Sequence, residues 1–270
     1  MDERRQGRMT KDGIRIYDRE DFAGMHEAGA LAAQILDDIA DMVVPGATTG
    51  EIDAAITKMV EDAGATSATI GYKGYQHASC ISVNHVVCHG IPGDKRLKEG
   101  DILNVDVTVI VDGWFGDTSR MYAAGAPSRK AERLIQVTHD ALFKGIEAVK
   151  PGNTFGDIGY AIQAYVEAHR MSVVRDFCGH GLGRVFHAPP NVLHYGRRGT
   201  GAVLEPGMIF TIEPMVNLGR PETKVLADDW TAVTRDKSLS AQFEHSVGVT
   251  DDGVEIFTLS PGGRFHPTRG

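Results

Sequence analysis

The sequence predicts an α+β fold in which two helix pairs cover one face of an antiparallel sheet, and in which the second half of the chain repeats the first. Two observations carry this prediction. Helical spacing followed by strand-like segments occurs twice, in the order α-α-β-β, which is typical of α+β proteins. Short motifs also recur in the same order in both halves. We therefore expect a sheet with pseudo-twofold symmetry.

Helices and strands are predicted from the spacing of hydrophobic residues and from the turn and capping residues at their ends. Helices are predicted over 20–44, 48–64, 129–150 and 155–171. Thr48 and Glu51 have the spacing of a capping box, and Ser128 precedes the third helix. Strands are predicted over 79–86, 103–111, 114–123, 208–213, 224–234, 241–249 and 254–258.

The repeat rests on three motif pairs in the same order, of which CHG at 88–90 and CGHG at 178–181 form an imperfect pair at a different spacing. PGATTGEI at 45–52 and PGNTFGDI at 151–158 share five of eight letters. GDILNVD at 100–106 matches GMIFTIE at 207–213, so each motif ends a strand on a carboxylate. A spacing of more than 100 residues is too long for a solenoid and indicates two copies of one unit.

The net charge and the cysteine content disfavour some classes of protein. The 270 residues carry a net charge of −8, with 42% hydrophobic residues and three cysteines. This balance disfavours general binding to nucleic acid or anionic membranes, and the cysteines do not form a disulfide framework. We expect one catalytic domain over 13–260, with pseudo-repeats at about 20–123 and 127–249. Flexible tails are expected over 1–12 and 261–270.

A predicted hairpin places two carboxylates together. Asp112–Gly113 between β-rich segments indicates a two-residue turn. This turn sets Asp117 opposite Thr108, on the same face as Asp106. Two such charges repel each other unless one is protonated or a cation binds. An acid–base pair, a cation site and a simple strand-end role for Asp117 all remain open at this point.

The second half adds three candidate ligands. Glu213 occupies the repeat position of Asp106, and Glu244 lies inside an apolar segment, where a glutamate is rarely buried without a partner. His180 lies in a glycine-rich turn. Four carboxylates and one imidazole at the midline match two divalent ions such as Mn, Fe, Co or Zn. Such a pair activates water, so the residues predict metal-assisted hydrolysis.

Five segments together resemble the type I methionine aminopeptidases, metallohydrolases with the pita-bread (creatinase/aminopeptidase) fold. The resemblance covers about residues 15–258. The segments that carry it are CISVNHVVCHGIP (80–92), GDILNVDVTVIVDGWFGDTSRM (100–121), CGHGLGRVFHAPP (178–190), FTIEPMV (210–216) and QFEHSV (242–247).

The resemblance implies a role for each site residue. Asp106 would bind one metal ion, Asp117 and Glu244 would bridge two, and His180 and Glu213 would complete the second. A water between the metals would attack the scissile carbonyl, with Glu213 as general base. His89 and His187 would contact the scissile peptide bond and stabilise its tetrahedral intermediate.

The resemblance also implies substrate contacts and a third cation. Around the methionine side chain it places Tyr72, Tyr75, Cys80, Phe186 and Trp230. Aromatic edges suit a thioether. Thr69 stands where the family commonly has a cysteine. A candidate site for a monovalent cation lies near Asn84, Val86 and Ser240.

The implied function is removal of the initiator methionine from nascent polypeptides, with preference for a small second residue. We expect a cytoplasmic monomer of the short, bacterial-like form, without a signal peptide, that contacts the ribosome transiently. Two alternatives stay open. A proline-specific peptidase of the same fold would usually carry an additional N-terminal domain. A non-catalytic binding module would typically have lost metal ligands, whereas all five are present here.

Overall fold

The computed structural model describes residues 8–264. The helices are α1 (Phe22–Asp38), α2 (Thr49–Asp62), α3 (Arg129–Glu147) and α4 (Phe155–Ala168). The strands before α3 are β1 (Arg8–Met9), β2 (Arg15–Ile16), β3 (Thr66–Ser67), β4 (Ser79–Val83), β5 (Val86–Cys88), β6 (Asp101–Val111) and β7 (Trp114–Ala124). The strands after α4 are β8 (Ser172–Val173), β9 (Gly179–Gly181), β10 (Ala188–Val192), β11 (Ile209–Ile212), β12 (Met215–Asn217), β13 (Thr223–Val225), β14 (Ala232–Thr234), β15 (Ser240–Gln242), β16 (His245–Val249) and β17 (Val254–Ile256).

The strands form antiparallel sheets that join the two halves. In the first half, β3 and β4 pair with one edge of β6, and β7 pairs with the other. In the second half, the order β10-β9-β11-β16-β17 forms the largest sheet, beside β15-β12-β8. The sheet β13-β14-β5 contains strands from both halves. No helix among residues 8–264 is long and apolar enough to cross a membrane.

The repeated PGxTxG motif opens a helix in each half. Thr48 and Glu51 form the predicted capping box of α2, with Glu51 N–H donating to Thr48 Oγ1 at 3.1 Å. At α4, Thr154 N–H donates to Asp157 Oδ2 at 2.8 Å. Each such cap stabilises the helix start by about 1 kcal/mol. The same local chemistry therefore begins the second helix of both pairs.

Each helix pair covers its own apolar core. One cluster joins α1 and α2 to β4, β6 and β7, and it contains Leu36, Ile52 and Val105 at 0% exposure. The other joins α3 and α4 to β11, β15 and β16, with Ile158 and Phe210 at 0% exposure. Full burial of such a side chain contributes about 1.5–3 kcal/mol. The cores hold the sheets against the helices and leave the polar strand faces free to form a site between the halves.

The predicted hairpin is confirmed in detail. Val111 pairs with Trp114, and Thr108 pairs with Asp117. Asp112 and Gly113 have φ values of 47° and 80°, as a turn of type I′ requires.

Three predicted strands are wrong as continuous elements. The segment 224–234 divides into β13 and β14, because Asp228 Oδ1 accepts hydrogen bonds from the backbone N–H groups of Trp230 (3.0 Å) and Thr231 (2.8 Å) and closes a turn between them. The segment 79–86 breaks at Asn84, whose φ is 58°. The segment 241–249 breaks at Glu244, which bridges to Ser119 of β7 instead.

The predicted flexible tails are only partly within the described residues. Residues 1–7 and 265–270 lie outside them. Within them, β1 pairs with β2, and Gly262 N–H donates to Asp37 Oδ2 at 2.8 Å. These inner parts of the two tails are therefore hydrogen-bonded, and the flexibility of the tails stays a prediction.

Candidate metal centre

A cavity of about 600 Å³ opens where the two halves of the chain meet. Every predicted metal ligand and every predicted substrate contact lines it. The ligand candidates are Asp106, Asp117, His180, Glu213 and Glu244. The substrate candidates are Tyr72, Tyr75, Cys80, His89, Phe186, His187 and Trp230. The fold therefore collects side chains from β4, β6, β7, β9 and the segments between later strands into one place.

The hairpin of the first half provides two carboxylates. Asp106 and Thr108 are two residues apart on β6, and Asp117 lies opposite Thr108 on β7, so all three side chains share one face. Thr108 Oγ1 donates a hydrogen bond to Asp117 Oδ1 at 2.7 Å. Asp117 Oδ2 lies 3.4 Å from His180 Nε2. Asp117 is thus held by its own half and directed toward the other.

His180 presents its Nε2 atom to the cavity. Its Nδ1 atom lies 3.1 Å from the carbonyl oxygen of Gly181. A carbonyl oxygen can only accept, so Nδ1 carries a hydrogen, and in the neutral form of the ring Nε2 has the lone pair that a cation needs. The backbone N–H of His180 donates to Thr211 Oγ1 at 3.0 Å. This arrangement is the usual way in which a protein orients a histidine ligand.

Glu244 is anchored to the hairpin of the other half. Its backbone N–H donates to the carbonyl oxygen of Ser119 at 3.1 Å, and its own carbonyl oxygen accepts from Thr118 Oγ1 at 2.7 Å. Its side chain is 2% exposed. The break between β15 and β16 therefore sets a carboxylate against β7.

Glu213 follows β11 and is held at both carboxylate oxygens. Thr211 Oγ1 donates to Oε1 at 2.8 Å, and Gln242 Nε2 donates to Oε2 at 3.3 Å. Its backbone N–H donates to His194 Nε2 at 3.0 Å. Glu213 Oε1 lies 3.7 Å from His180 Nε2. The second half thus surrounds this carboxylate with supporting donors.

The donor set fits divalent metal ions. One ligand atom each from Asp117, His180 and Glu244 lies within 4.8 Å of the others. Asp106 and Glu213 line the same cavity outside this tightest group. Among the described lining residues, the exposed Lys73 is the single Lys or Arg. Four carboxylates and one imidazole without a neighbouring guanidinium or ammonium partner fit divalent metal ions, which oxygen and nitrogen donors bind.

The crowded carboxylates have shifted pKa values. Burial raises the pKa of Asp106 well above its usual value, and the charges of Asp117 and Glu213 raise it further. Burial and the neighbouring carboxylates do the same to the pKa of Glu244. Burial raises the pKa of Glu213 to about 7, although His180 opposes the shift. In the metal-free cavity the charged forms of these carboxylates are therefore disfavoured until cations compensate their charge.

His89 is a partly buried imidazole that lines the same cavity as the metal-ligand candidates. Burial lowers its pKa. Its ring packs at 5.5 Å from Phe177 and 6.1 Å from Trp230. Its φ of 56° is in the left-handed region, where a non-glycine residue is strained. The chain therefore pays a small conformational cost to place this ring at the cavity.

His187 faces His180 from the other side of the cavity. The two ring centroids are 4.2 Å apart, and Tyr72 stacks on His187 at 5.2 Å. Burial lowers the pKa of His187 to about 4, and the neighbouring His180 lowers it as well. A neutral imidazole at pH 7 can both donate and accept a hydrogen bond.

The predicted methionine pocket has two walls. Tyr75 packs against Trp230 with ring centroids 4.8 Å apart, and Cys80 pairs with Asp106 across β4 and β6. On the other side, Tyr72 packs against Phe186 at 5.0 Å. Thr69 also lines the cavity, where its hydroxyl donates to the carbonyl oxygen of His77 at 2.7 Å.

Four supporting residues were not predicted as part of the site. Thr211 and Gln242 each stand two residues before a predicted ligand on a strand, and the two-residue period could have identified them. Thr108 was identified only as the partner of Asp117. His194 is 0% exposed and reaches Glu213 from the loop after β10, and nothing in its local sequence indicates this contact.

Comparison with known proteins agrees with this geometry. Residues 23–251 match metallopeptidase family M24. A methionine aminopeptidase of Rickettsia prowazekii (strain Madrid E) is 58% identical over 249 residues, which cover 92% of this chain and 96% of the relative. The methionine aminopeptidase of Escherichia coli (strain K12) is 53% identical over 248 residues, with 91% and 94% coverage.

Solved structures agree in the same way. The crystal structure of methionine aminopeptidase from Rickettsia prowazekii has a TM-score of 0.90 at 57% identity, and covers 91% of this chain and 100% of that one. The prolidase of Pyrococcus horikoshii OT3, at 20% identity and a TM-score of 0.73 over 91% of this chain and 63% of that one, shares the fold. The predicted pita-bread fold is confirmed, and the chain belongs to metallopeptidase family M24.

Proposed function

We propose that the chain is a methionine aminopeptidase that removes the N-terminal methionine of polypeptides. One observation carries the proposal: five metal-ligand candidates from both halves line one cavity beside an aromatic and thiol pocket. The 53–58% identity to methionine aminopeptidases supports the same activity.

The metal ligands in this proposal are Asp106, Asp117, His180, Glu213 and Glu244, holding two divalent ions. When bound, such ions polarise a carbonyl group and increase the acidity of water. The metal remains unspecified among Co, Mn, Fe and Zn, because affinity order and availability decide it. A monovalent cation near Asn84, Val86 and Ser240 is a further proposal, supported by the hydrogen bond of Ser240 N–H to the carbonyl oxygen of Asn84 at 2.9 Å.

The remaining chemistry belongs to side chains of the chain itself. Glu213 accepts a proton from the attacking water at a carboxylate oxygen, because it is a carboxylate in the lining of the cavity where the peptide bond would lie. His89 and His187 are neutral, so each can donate a hydrogen bond to the scissile amide or to the developing oxyanion. Glu213 is therefore the proton acceptor, and the two histidines position and stabilise the peptide bond.

Substrate selection follows from the walls of the cavity. The methionine thioether lies against Tyr75, Cys80 and Trp230, where polarizable sulfur meets aromatic edges. Tyr72 and Phe186 close the opposite side. A small second residue is preferred because a bulkier one would crowd the cleft. The biological substrates are nascent polypeptides, met in the cytoplasm by a monomer that contacts the ribosome transiently.

The experiment compares Met-Ala-Ser with an Xaa-Pro peptide after Mn, Fe, Co or Zn is added to the metal-free protein. We expect cleavage of Met-Ala-Ser alone. Cleavage of the Xaa-Pro peptide alone would assign the chain to the proline-specific peptidases that share its fold. Bound metal without turnover of either peptide would indicate a binding module.

A further inference from the structure

A second cavity, here called the downstream groove, adjoins the catalytic cavity. It has a volume of about 520 Å³. Pro189 and Asn191 line both cavities, and both are exposed. They belong to β10, which is the edge strand of its sheet. The two cavities therefore adjoin at the surface along β10, where an extended ligand could pass from one to the other.

The groove is mainly apolar. Ile14 and Phe155 are buried in its lining at 2% and 7% exposure. Leu193, 40% exposed, and Tyr195 line it beyond β10. Asp12 is the one charged residue among the described lining residues. Such a surface favours apolar side chains, because each removes apolar area from water.

Chain geometry sets the length of ligand that can use both cavities. His187 lines the catalytic cavity and Leu193 lines the groove, six residues later. Six extended residues span at most about 20 Å. A peptide of six residues matches the maximum span of the chain from His187 to Leu193, whereas a tripeptide spans at most about 11 Å.

We propose that the downstream groove binds the residues that follow the second residue of the peptide substrate, from about the fourth to the sixth, and favours apolar side chains there. The proposal rests on the proposed function. Its occupant is the substrate itself, because the groove adjoins, through Pro189 and Asn191, the cavity in which that substrate is cleaved.

The test compares three peptides on the metal-loaded, full-length protein. The tripeptide Met-Ala-Ser measures the proposed function alone. Met-Ala-Ser-Gly-Ser-Gly adds length, and Met-Ala-Ser-Leu-Val-Leu adds apolar side chains. We expect kcat/KM for the apolar hexapeptide to exceed that of the Gly-Ser hexapeptide by about tenfold, mainly through KM, because apolar contacts in a preformed pocket act on binding.

The variant Leu193→Asp places a charge in the groove without altering any proposed catalytic residue. It should remove the apolar gain and leave turnover of Met-Ala-Ser unchanged. Leu259→Asp is the matched control, since Leu259 is 44% exposed and lines neither cavity. This control should keep the full gain.

Each other outcome has a defined meaning. Equal kcat/KM for the two hexapeptides, with Met-Ala-Ser still cleaved, contradicts peptide binding in the groove and leaves the proposed function intact. If Leu193→Asp keeps the higher kcat/KM of the apolar hexapeptide, peptide binding in the groove is also contradicted. If Leu193→Asp instead changes the sedimentation mass while the gain persists, a second copy of the chain covers the groove. Absence of Met-Ala-Ser cleavage contradicts the proposed function.

Discussion

In the first half of the chain, the site carboxylates stand on two regular eleven-residue strands, β6 and β7. In the second half, the ligands come from strands of three to five residues and from the breaks between them. The regular hairpin orients Asp106 and Asp117 by its register. The second half orients Glu213 by hydrogen bonds that Thr211 and Gln242 donate to its carboxylate and by one that its backbone N–H donates to His194. A long hairpin thus needs few supporting side chains, whereas short strands need several.

The largest effect should follow from removing one carboxylate of either half. Asp117→Asn and Glu244→Gln each remove a negative charge from the tightest ligand group. We expect kcat/KM for Met-Ala-Ser to fall at least about a thousandfold in both, since metal activation is worth several kcal/mol. Asp112→Asn, in the hairpin turn, is the control and should retain activity. Cleavage by Asp117→Asn in metal-free buffer would contradict the mechanism.

The next largest effect should follow from replacing His89, and it distinguishes a substrate-contacting histidine from a metal-binding one. Asn tolerates the left-handed backbone that His89 adopts, so His89→Asn removes the imidazole with little strain. We expect turnover to fall about a hundredfold, as for loss of a general acid or base, with metal content unchanged. His187→Asn is the counterpart from the second half and should behave alike. Parallel loss of metal and turnover would instead make His89 a ligand.

A smaller effect should follow from replacing the threonine that holds a carboxylate in each half. Thr108→Val and Thr211→Val each remove a hydrogen bond to a ligand carboxylate, which typically lowers metal affinity 10–100-fold. Thr211→Val should lie at the upper end, because it also removes the acceptor of the His180 backbone N–H, even though Gln242 still holds Glu213. Thr138→Val, whose hydroxyl donates to a helix carbonyl oxygen, is the buried control. A larger loss in Thr108→Val would contradict the view that the second half depends more on supporting side chains.

The smallest effect is on pH dependence. Burial raises the pKa of Glu213 to about 7 and those of Asp106 and Glu244 well above their usual values. The metal-free fold therefore holds more protons than the unfolded chain from about pH 4 upward, and its stability falls as pH rises through about 7. Metal displaces these protons, so metal affinity should rise between pH 6 and pH 8, by up to about tenfold per pH unit for each proton.

Calorimetric titration in two buffers of different ionisation enthalpy measures the released protons directly. Denaturant unfolding of the metal-free protein at the same pH values measures the accompanying loss of stability. Metal affinity that is independent of pH would mean that the carboxylates are already ionised without metal.

The sequence predicts the site geometry of the first half better than that of the second half. The Asp112–Gly113 turn determines the whole register of β6 and β7, so the relation of Asp106 to Asp117 follows from local chemistry. Glu213 and Glu244 were predicted from the repeat and from the unusual presence of a glutamate in apolar segments. The breaks at Asn84 and Glu244 were not predicted, because contacts with distant strands produce them and no local turn residue marks Glu244.

The contact between His194 and Glu213 could not be predicted from a local sequence pattern. It lies 19 residues before Glu213 and supports it through one backbone hydrogen bond. Only the packing of the loop after β10 brings them together. The turn that presents Trp230 is intermediate, because Asp228 closes it locally but the cavity it faces is formed by both halves.

The measurement that tests the central claim most directly is a titration of the metal-free protein with Mn²⁺, followed by calorimetry and metal analysis. We expect tight binding of up to two ions per chain, reduced at least 10-fold in affinity by Asp117→Asn from one half and by Glu244→Gln from the other, and unchanged by Asp112→Asn. Binding that is indifferent to both ligand variants would show that the two halves do not form a shared metal centre.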